Sequence, residues 1–506
     1  MGVKRAALWR IALSVGLAVA ACNRPNLRVV DDGIVIEDVT LISPERPGPL
    51  AHAAVVIQGG RIAEVGTGFV AGPHAKRIDG RGRFLIPGLI DSHVHAANIG
   101  PLDDDAIRAH PELQEAYRAQ LPRSYLAFGF TTLVDVDLRE GTLTWFNAAP
   151  VHPNFYHCGR AVHIAGGYGA VRIPKDAAGA KSANLVYEAA QAKDWPATLD
   201  PRDYTSTRAV DRVVEAGGVC LKTFVEPGFG GAAHWPVPRP ETLEALRAET
   251  LRRGLVFVVH ANSVQSWRAA LQAHADVIAH GLWHWPGDRL GITPPGEVRQ
   301  AIQAAVRAGA GVQPTLQAVY GDETIFDRSV LDDPRFPESL PRVVVAYLKS
   351  AAGQAAHQAI ADEYRQAIDS QFGAGADPRK VMATAPARAT ISLRMMEAER
   401  VRLLFGSDTP SNEGIGNPPG LNGRLEMTRW SEAGVPLSSI LRAATLENAA
   451  AFGLAKDVGT IEAGKRADLL LMRGDPLRSI AAYDSIETVI LNGNPIERGT
   501  LLPPTN

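Results

Sequence analysis

Two histidines separated by one residue, His93 and His95, follow a short apolar run in the segment FLIPGLIDSHVHA, residues 84–96. In an extended strand, side chains two residues apart point to the same side. The pair therefore predicts two imidazoles on one side of a strand end, which suits a metal ion. A hydrolytic metal site needs at least three protein ligands and one open position. Further ligands must therefore come from elsewhere in the chain.

Four more polar side chains follow apolar, strand-like segments further along the chain. They are Lys222 after residues 219–221, His260 after 255–259, His280 after 276–279 and Asp408 after 401–405. Each of these residues taken singly is more often an ordinary loop or surface residue than a metal ligand. Together with His93 and His95 they favour one shared site, provided that the carboxyl ends of these strands meet.

The alternation of apolar segments with helix-like segments predicts how the strand ends are arranged. Roughly eight strand–helix units lie between residues 87 and 455, with the third strand expected at 160–164. Such alternation favours an α/β fold with a parallel sheet, and eight units favour a (β/α)8 TIM barrel, whose reacting residues lie at the C-terminal strand ends. A doubly wound open sheet is the alternative. Residues 338–400 are predicted to be mostly helical, a long excursion that could cover the site, and the sequence leaves the role of the insert 321–400 open.

The two ends of the chain contain β-rich segments separated by Gly, Asp and Pro turns. Residues 23–86 and 456–506 are therefore predicted to form one small β-sandwich domain beside the barrel over residues 87–455. Residues 1–22 combine a basic start with an apolar run too short to span a bilayer, which is typical of an export signal.

The signal segment ends in Val-Ala-Ala-Cys, with Cys22 where a bacterial lipoprotein is cleaved and lipidated. We predict an exported periplasmic or outer-membrane lipoprotein, attached to the membrane only through lipid on Cys22; an ordinary secretory signal is the alternative. Export permits a disulfide, but Cys158 and Cys220 are expected to be buried free thiols. The formal net charge of −2 gives no reason to expect a nucleic-acid partner.

The strand-end residues occur in the segments DSHVHA, CLKTF, VVHAN, IAHGL and LFGSDTP, which resemble the metal-ligand pattern of the amidohydrolase superfamily. The later segments ILRAATLENAAAFGL and VGTIEAGKRADLLLMRGDPL are similar to those of its imidazolonepropionase-like and prolidase-like (Xaa-Pro dipeptidase) members. The resemblance covers nearly all of the chain after residue 22 and is weakest over residues 321–400.

The resemblance implies two divalent metal ions, usually zinc. The implied ligands are His93, His95 and Asp408 for the more buried ion and His260 and His280 for the more exposed one. Lys222 is implied to bridge the two ions as an N-carboxylated lysine formed with CO2. Two adjacent dications need an anionic bridge, whereas an unmodified ammonium would repel them. If Lys222 is unmodified, we expect one ion at His93, His95, His260 and Asp408.

His280 and His284 are four residues apart, as in a zincin helix. That motif needs a glutamate beside the first histidine, but Gly281 stands there and Pro286 disfavours a helix. We expect His284 to line the pocket beside its two flanking tryptophans, which are equally consistent with core packing. The histidines that lie off the strand-end pattern are expected not to be ligands: His110, His152, His157, His163, His234, His274 and His357.

The predicted reaction is metal-assisted hydrolysis of an amide C–N bond, with water activated at the metal and Asp408 as proton shuttle. By resemblance, the preferred small-molecule substrate is a dipeptide or an N-acyl amino acid. A cyclic-amide hydrolase of imidazolonepropionase type is the alternative enzyme. An inactive metal-binding lipoprotein is the alternative of another class, and the retention of every implied ligand speaks against it. A homo-oligomer stays open.

Overall fold

The computed structural model describes residues 28–102, 104–172, 179, 182–229, 234–410 and 414–504. The predicted signal segment and Cys22 lie outside these residues, so the lipoprotein prediction concerns a part of the chain that is not described. Within the described ranges, no helix combines the length and the apolar character needed to cross a membrane.

The N-terminal β-rich region forms short strands joined by tight turns. Their bounds are β1 Arg28–Val30, β2 Ile34–Leu41, β3 Leu50–Gln58, β4 Arg61–Gly66, β5 Phe69–Ala71, β6 Lys76–Asp79 and β7 Phe84–Pro87. Gly88 joins β7 to the first barrel strand, and a Cβ at this position would lie 2.1 Å from Oγ1 of Thr131. The Pro-Gly break therefore needs glycine because the next strand passes so close to the backbone.

The central region forms parallel strands arranged as a closed barrel. Their bounds are β8 Leu89–Val94, β9 Phe130–Asp135, β10 Asn154–His157, β11 Val162–Ile164, β12 Asn184–Val186, β13 Cys220–Phe224, β14 Val256–His260, β15 Val277–Ala279, β16 Gly311–Gln313 and β17 Arg402–Leu403. Apart from the region β10 to β13, neighbouring strands pair in chain order, and the last strand meets the first where the Ser92 amide donates to the Phe405 carbonyl at 3.1 Å. The predicted (β/α)8 barrel is confirmed.

The third position of the barrel differs from the prediction. It is shared by β10, which pairs with β9, and β11, which pairs with β13. The sequence predicted only the second piece, at residues 160–164. The first piece was missed because its side chains are mostly half-buried and it follows Pro153, so it lacks the apolar run that marks the other strands. The extra strand β12 pairs with β11 outside the eight barrel positions.

The helices surround the barrel and build the excursion after the seventh strand. Their bounds are α1 Asp104–Ala109, α2 Pro111–Ala127, α3 Thr142–Asn147, α4 Ser206–Glu215, α5 Pro240–Arg253, α6 Val264–Gln272, α7 Gly296–Ala308, α8 Leu316–Asp322, α9 Phe336–Ser339, α10 Arg342–Lys349, α11 Ala351–Phe372, α12 Pro378–Met382, α13 Thr384–Ala398, α14 Leu421–Glu432, α15 Leu437–Arg442 and α16 Asn448–Ala451. Gly254 ends α5 with a left-handed backbone, as the sequence predicted.

The C-terminal strands complete the sheet begun by the N-terminal region. They are β18 Leu469–Met472, β19 Ile486–Leu491 and β20 Asn494–Glu497. The eight-stranded sheet has the order β20-β19-β18-β7-β2-β3-β4, with β6 beside β2, and β1 and β5 form a separate two-stranded ribbon. One β-domain is therefore built from both ends of the chain, as predicted, because β18 pairs with β7 next to the entry to the barrel.

The barrel interior contains an apolar cluster that includes Ile90, Val134, Val258 and Leu404. Cys158 and Cys220 belong to this cluster and form a disulfide, with their Sγ atoms 2.06 Å apart. The expectation of free thiols was wrong. The cysteines are 62 residues apart in sequence. Cys158 follows β10 and Cys220 begins β13, and these two strands are neighbours in the barrel, joined by a hydrogen bond from the Val219 amide to the His157 carbonyl.

Candidate metal centre

The carboxyl ends of the barrel strands bring the predicted site residues to one place. His93 lies within β8 and His95 just after it, while Lys222 lies in β13 and His260 ends β14. His280 directly follows β15, and Asp408 follows β17 by five residues. The parallel barrel has this effect because all of its strands end at the same mouth.

His93, His95 and Asp408 form a group of potential metal ligands whose donor atoms all lie within 4.8 Å of one another. Oδ1 of Asp408 is 3.0 Å from Nε2 of His95 and 3.6 Å from Nε2 of His93. Two imidazoles and one carboxylate are a suitable donor set for zinc. This group matches the ligands predicted for the more buried metal.

Lys222 also contacts this group of potential ligands. Its Nζ is 3.3 Å from Nε2 of His93, and the residue is 1% exposed. Burial lowers the pKa of the Lys222 ammonium to about 7, although nearby Asp408 opposes the shift. A substantial share of the amine is therefore neutral near pH 7, and a neutral amine is the form that can react with CO2.

His260 and His280 form the other side of the cluster, with ring centroids 4.8 Å apart. Nδ1 of His280 is 3.7 Å from Oδ2 of Asp408, so Asp408 lies between the two histidine pairs. All six predicted ligands therefore belong to one contiguous set of contacts in the described structure. Whether they bind metal stays a prediction.

Two polar residues on and after the seventh strand orient these imidazoles. Oε1 of Gln313 accepts a hydrogen bond from Nδ1 of His93 at 2.9 Å. Oγ1 of Thr315 lies 2.8 Å from Nδ1 of His280. Because these contacts occupy Nδ1, they leave Nε2 of both rings available to a metal, which is a common arrangement around metal-binding histidines.

The protonation states also suit a cation. Burial lowers the pKa of both His93 and His280 well below the usual value, so both imidazoles are neutral. Burial raises the pKa of the Asp408 carboxyl, but the facing His280 and the hydrogen bond from His95 lower it more, to well below its usual range. Neutral imidazoles and an ionised carboxylate are the forms that bind metal.

The backbone around Asp408 is held in an unusual conformation. Its φ is 57°, in the left-handed region that non-glycine residues seldom adopt. Its amide donates to the His93 carbonyl at 2.8 Å. Nearby, Nδ2 of Asn448 donates to the carbonyls of Ile90 and Phe405, at 2.8 and 2.7 Å. These bonds fix the loop that carries Asp408 against the strand that carries His93.

Glu226 was not predicted from the sequence, although it lies only two residues beyond β13. Its side chain is 1% exposed, and Oε2 is 3.2 Å from Nε2 of His260. The strand-end rule that found Lys222 and His260 passed over Glu226, which lies beyond the first polar position after its strand. Gln313 does stand at a strand end, but glutamine is not a usual zinc ligand and was not singled out. No motif marks them.

Aromatic rings line the same side of the cluster. The ring of Tyr168 lies 5.1 Å from that of His260, and it also contacts Phe229 and Trp235, at 5.2 and 5.3 Å. His284 is partly exposed and lies 5.9 Å from Phe229, which agrees with a residue that lines the pocket. Tyr168, Phe229 and Trp235 thus form an aromatic cluster against His260.

The two tryptophans that flank His284 are buried core residues, with Trp283 6% and Trp285 7% exposed. Within the helical insert, helix α13 supports the loop that carries His284, because Arg388 donates to the carbonyls of Asp288 and Gly291.

Comparison with known proteins gives a family match over most of the chain. A model of the amidohydrolase family matches residues 84–496. An imidazolonepropionase of Rubrobacter xylanophilus is 36% identical over 90 residues, which is 14% of this chain and 22% of that protein. An N-acyl-D-aspartate deacylase of Alcaligenes xylosoxydans xylosoxydans is 38% identical over 87 residues, or 17% of this chain and 14% of that protein. The matched stretches thus span less than a quarter of either curated relative.

A solved structure shares the architecture over nearly the whole chain. A Xaa-Pro dipeptidase with methionine bound in its active site superposes with a TM-score of 0.61 at 19% identity. The superposition covers 92% of this chain and 99% of that one. At this level of identity the likeness establishes the fold, a barrel with an attached β-domain.

Proposed function

Because this chain belongs to the amidohydrolase family, we propose that it is a metal-dependent hydrolase that cleaves the amide bond of a dipeptide or an N-acyl amino acid. The observation that carries the proposal is the group of His93, His95 and Asp408, whose donor atoms meet within 4.8 Å at the barrel mouth. The neutral imidazole of His93 and the ionised carboxylate of Asp408 suit a divalent cation, and His95 adds a second imidazole to the donor set.

The residues would hold two ions. His93, His95 and Asp408 would hold one, His260 and His280 the other, and Lys222 would join them after N-carboxylation with CO2. When bound, such ions lower the pKa of a water molecule and polarise a carbonyl group. Zinc is the proposed metal because imidazole and carboxylate are suitable zinc ligands.

Asp408 is proposed to move the proton. Its carboxylate lies 3.0 Å from Nε2 of His95 and 3.7 Å from Nδ1 of His280, so it faces both halves of the cluster. From there it takes a proton from the attacking water and returns it to the leaving nitrogen of the amide. Tyr168, Phe229 and Trp235 exclude water from one side of the site and contact the substrate.

The proposed substrate class rests on similarity. The relatives include a deacylase of N-acyl-D-aspartate, and the structural neighbours include a Xaa-Pro dipeptidase. The second candidate is a cyclic amide, which the match to an imidazolonepropionase favours. Hydrolysis of either class needs the same metal centre, so only turnover distinguishes them.

The test combines metal analysis with a substrate panel. Purified protein is analysed for bound metal and then assayed on dipeptides, N-acyl amino acids and cyclic amides. We expect close to two zinc equivalents and turnover of the first two groups. Lys222→Ala should lose one equivalent and most activity. Exposed Lys349→Ala is the control, and it should change neither.

Three results would count against parts of the proposal. A protein that binds no divalent metal would exclude the metal-dependent mechanism. A Lys222→Ala variant that keeps both equivalents and full activity would exclude only the bridging role of Lys222. Turnover confined to cyclic amides would favour the second candidate.

Export and lipidation are proposed alongside the activity. The disulfide between Cys158 and Cys220 supports this proposal, because such bonds persist mainly outside the reducing cytosol. Cys22→Ser should abolish lipid attachment and release the protein from the membrane fraction or leave it unprocessed. A variant that still fractionates with membranes at the normal mature mass would contradict the lipid anchor.

A further inference from the structure

Glu226 lies against the predicted exposed-metal site, and the proposed function gives it no role. The side chain is almost fully buried at the barrel mouth, two residues beyond β13. Its Oε1 accepts a hydrogen bond from the Gly228 amide at 2.8 Å. Its other oxygen, Oε2, is 3.2 Å from Nε2 of His260. Both oxygens of the carboxylate are therefore engaged, one by the backbone and one by a predicted metal ligand.

The chemistry of this contact sets the tautomer of His260. An ionised carboxylate can only accept hydrogen bonds, and a neutral imidazole carries its proton on one nitrogen. For the two groups to bond, Nε2 of His260 must carry the proton, which leaves the lone pair on Nδ1. A glutamate side chain is ordinarily ionised at neutral pH, so the carboxylate is the acceptor in this 3.2 Å contact.

We propose that Glu226 is a positioning residue that fixes His260 in the Nε2–H tautomer and thereby presents Nδ1 to the metal. This inference rests on the proposed function, because it presumes that His260 is a metal ligand. His93 and His280 differ from His260 in the nitrogen that is left for a metal. Gln313 and Thr315 contact their Nδ1 atoms, so Nε2 is the free nitrogen in both rings. The three imidazoles would thus reach the metals through different nitrogens, each selected by a polar neighbour.

A rival arrangement is that Glu226 and Nε2 of His260 bind the same ion. Two ligand atoms about 2.1 Å from one metal lie roughly 3.0–3.4 Å apart, and the observed 3.2 Å falls in that interval. Positioning is favoured instead because Oε1 of Glu226 is already held by the Gly228 amide, so the backbone orients the carboxylate. Nδ2 of Asn262 also lies 3.4 Å from this Nε2, but as a donor it makes no hydrogen bond to the ring in the Nε2–H tautomer.

The substitution Glu226→Gln separates these arrangements with little change in size. Glutamine has one acceptor oxygen, and the Gly228 amide needs it. Its NH2 group would then face Nε2 of His260 as a donor, which favours the tautomer with the proton on Nδ1. That tautomer cannot bind metal through Nδ1. The loss of a carboxylate partner of a metal-bound histidine typically costs about 10–100-fold in metal affinity.

The experiment measures affinity and tautomer together. Zinc affinity is determined by chelator competition for the wild type, for Glu226→Gln and for Glu37→Gln. The last is the control, because Glu37 is a buried carboxylate of the β-domain that also bonds one backbone amide and one side chain. His260→Ala identifies which zinc equivalent depends on His260. Protein with 15N-labelled histidine shows which ring nitrogen of His260 carries the proton when zinc is bound.

We expect wild-type His260 to keep its proton on Nε2 and to bind zinc through Nδ1. Glu226→Gln should weaken the His260-dependent equivalent about 10–100-fold, leave any other equivalent unchanged, and recover activity at high zinc. Zinc on Nε2, or unchanged affinity in Glu226→Gln, would overturn the positioning role while leaving the proposed function intact. A wild-type protein that binds no zinc would defeat the proposed function and this inference with it.

Discussion

Oε1 of Gln313 lies 2.9 Å from Nδ1 of His93, and Nε2 of Gln313 donates to Ser92. The amide thus fixes both the tautomer of His93 and the strand that carries it. Gln313→Leu should keep the volume but lose both bonds. We expect about 10–100-fold weaker binding of the more buried metal, measured by chelator competition.

Gln303→Leu serves as the control for the Gln313 variant, since the Gln303 side chain bonds Glu399 on the helical surface and no other side chain in the described part of the structure. It should bind metal as the wild type does. Equal metal affinities for Gln313→Leu and Gln303→Leu would show that the hydrogen bond to His93 is dispensable.

Asp408→Asn tests the proton shuttle. The amide keeps the size of the carboxylate and can still offer an oxygen to a metal, but it cannot accept a proton near neutral pH. General acid–base catalysis contributes typically about 10²–10⁴-fold, so kcat should fall by that order while KM changes little. The variant is first loaded with metal and its stoichiometry confirmed. Near wild-type kcat in the loaded variant would show that another group carries the proton.

The predicted metal ligands could be identified from the sequence, whereas the residues that orient them could not. His93, His260 and Asp408 each follow an apolar segment, and the barrel topology alone brings such positions together. Gln313 and Glu226 depend on side-chain directions across neighbouring loops and strands. Those directions follow from barrel register and packing, which a single sequence does not encode in any local pattern.

The disulfide in the barrel core could not be predicted from the sequence for the same reason. Pairing of Cys158 with Cys220 requires β10 and β13 to be neighbours in register. The third strand was predicted at residues 160–164, beyond Cys158, so the two cysteines had no predicted contact. The barrel could be predicted from the alternation of apolar strand-like segments with helices. That prediction does not require the register in which neighbouring strands pair.

Removal of the disulfide should destabilise the barrel. A crosslink that closes a 62-residue segment typically contributes about 2–4 kcal/mol to the free energy of unfolding. The double variant Cys158→Ala/Cys220→Ala should therefore unfold at lower temperature than the wild type under non-reducing conditions. In wild-type protein denatured without reductant, Cys158 and Cys220 should give no free thiol. Two reactive thiols from these residues would show that the bond does not form.

Glu426 provides a test of how burial couples stability to pH. Its carboxylate accepts from the Leu316 and Gln317 amides at the start of α8 and from Trp430. Burial raises its pKa to about 7, although these hydrogen bonds oppose the shift. Between pH ~4.5 and ~7 the unfolded chain has released this proton while the folded protein keeps it, so this group lowers stability as pH rises through that interval.

Glu426→Gln cannot titrate, and the difference in melting temperature between wild type and variant should shift in favour of the variant from pH 5 to pH 7.5. Melting is followed in metal-free protein, with the exposed Glu432→Gln on the same helix as control. A difference between wild type and Glu426→Gln that stays constant across this interval would show that Glu426 does not titrate in it.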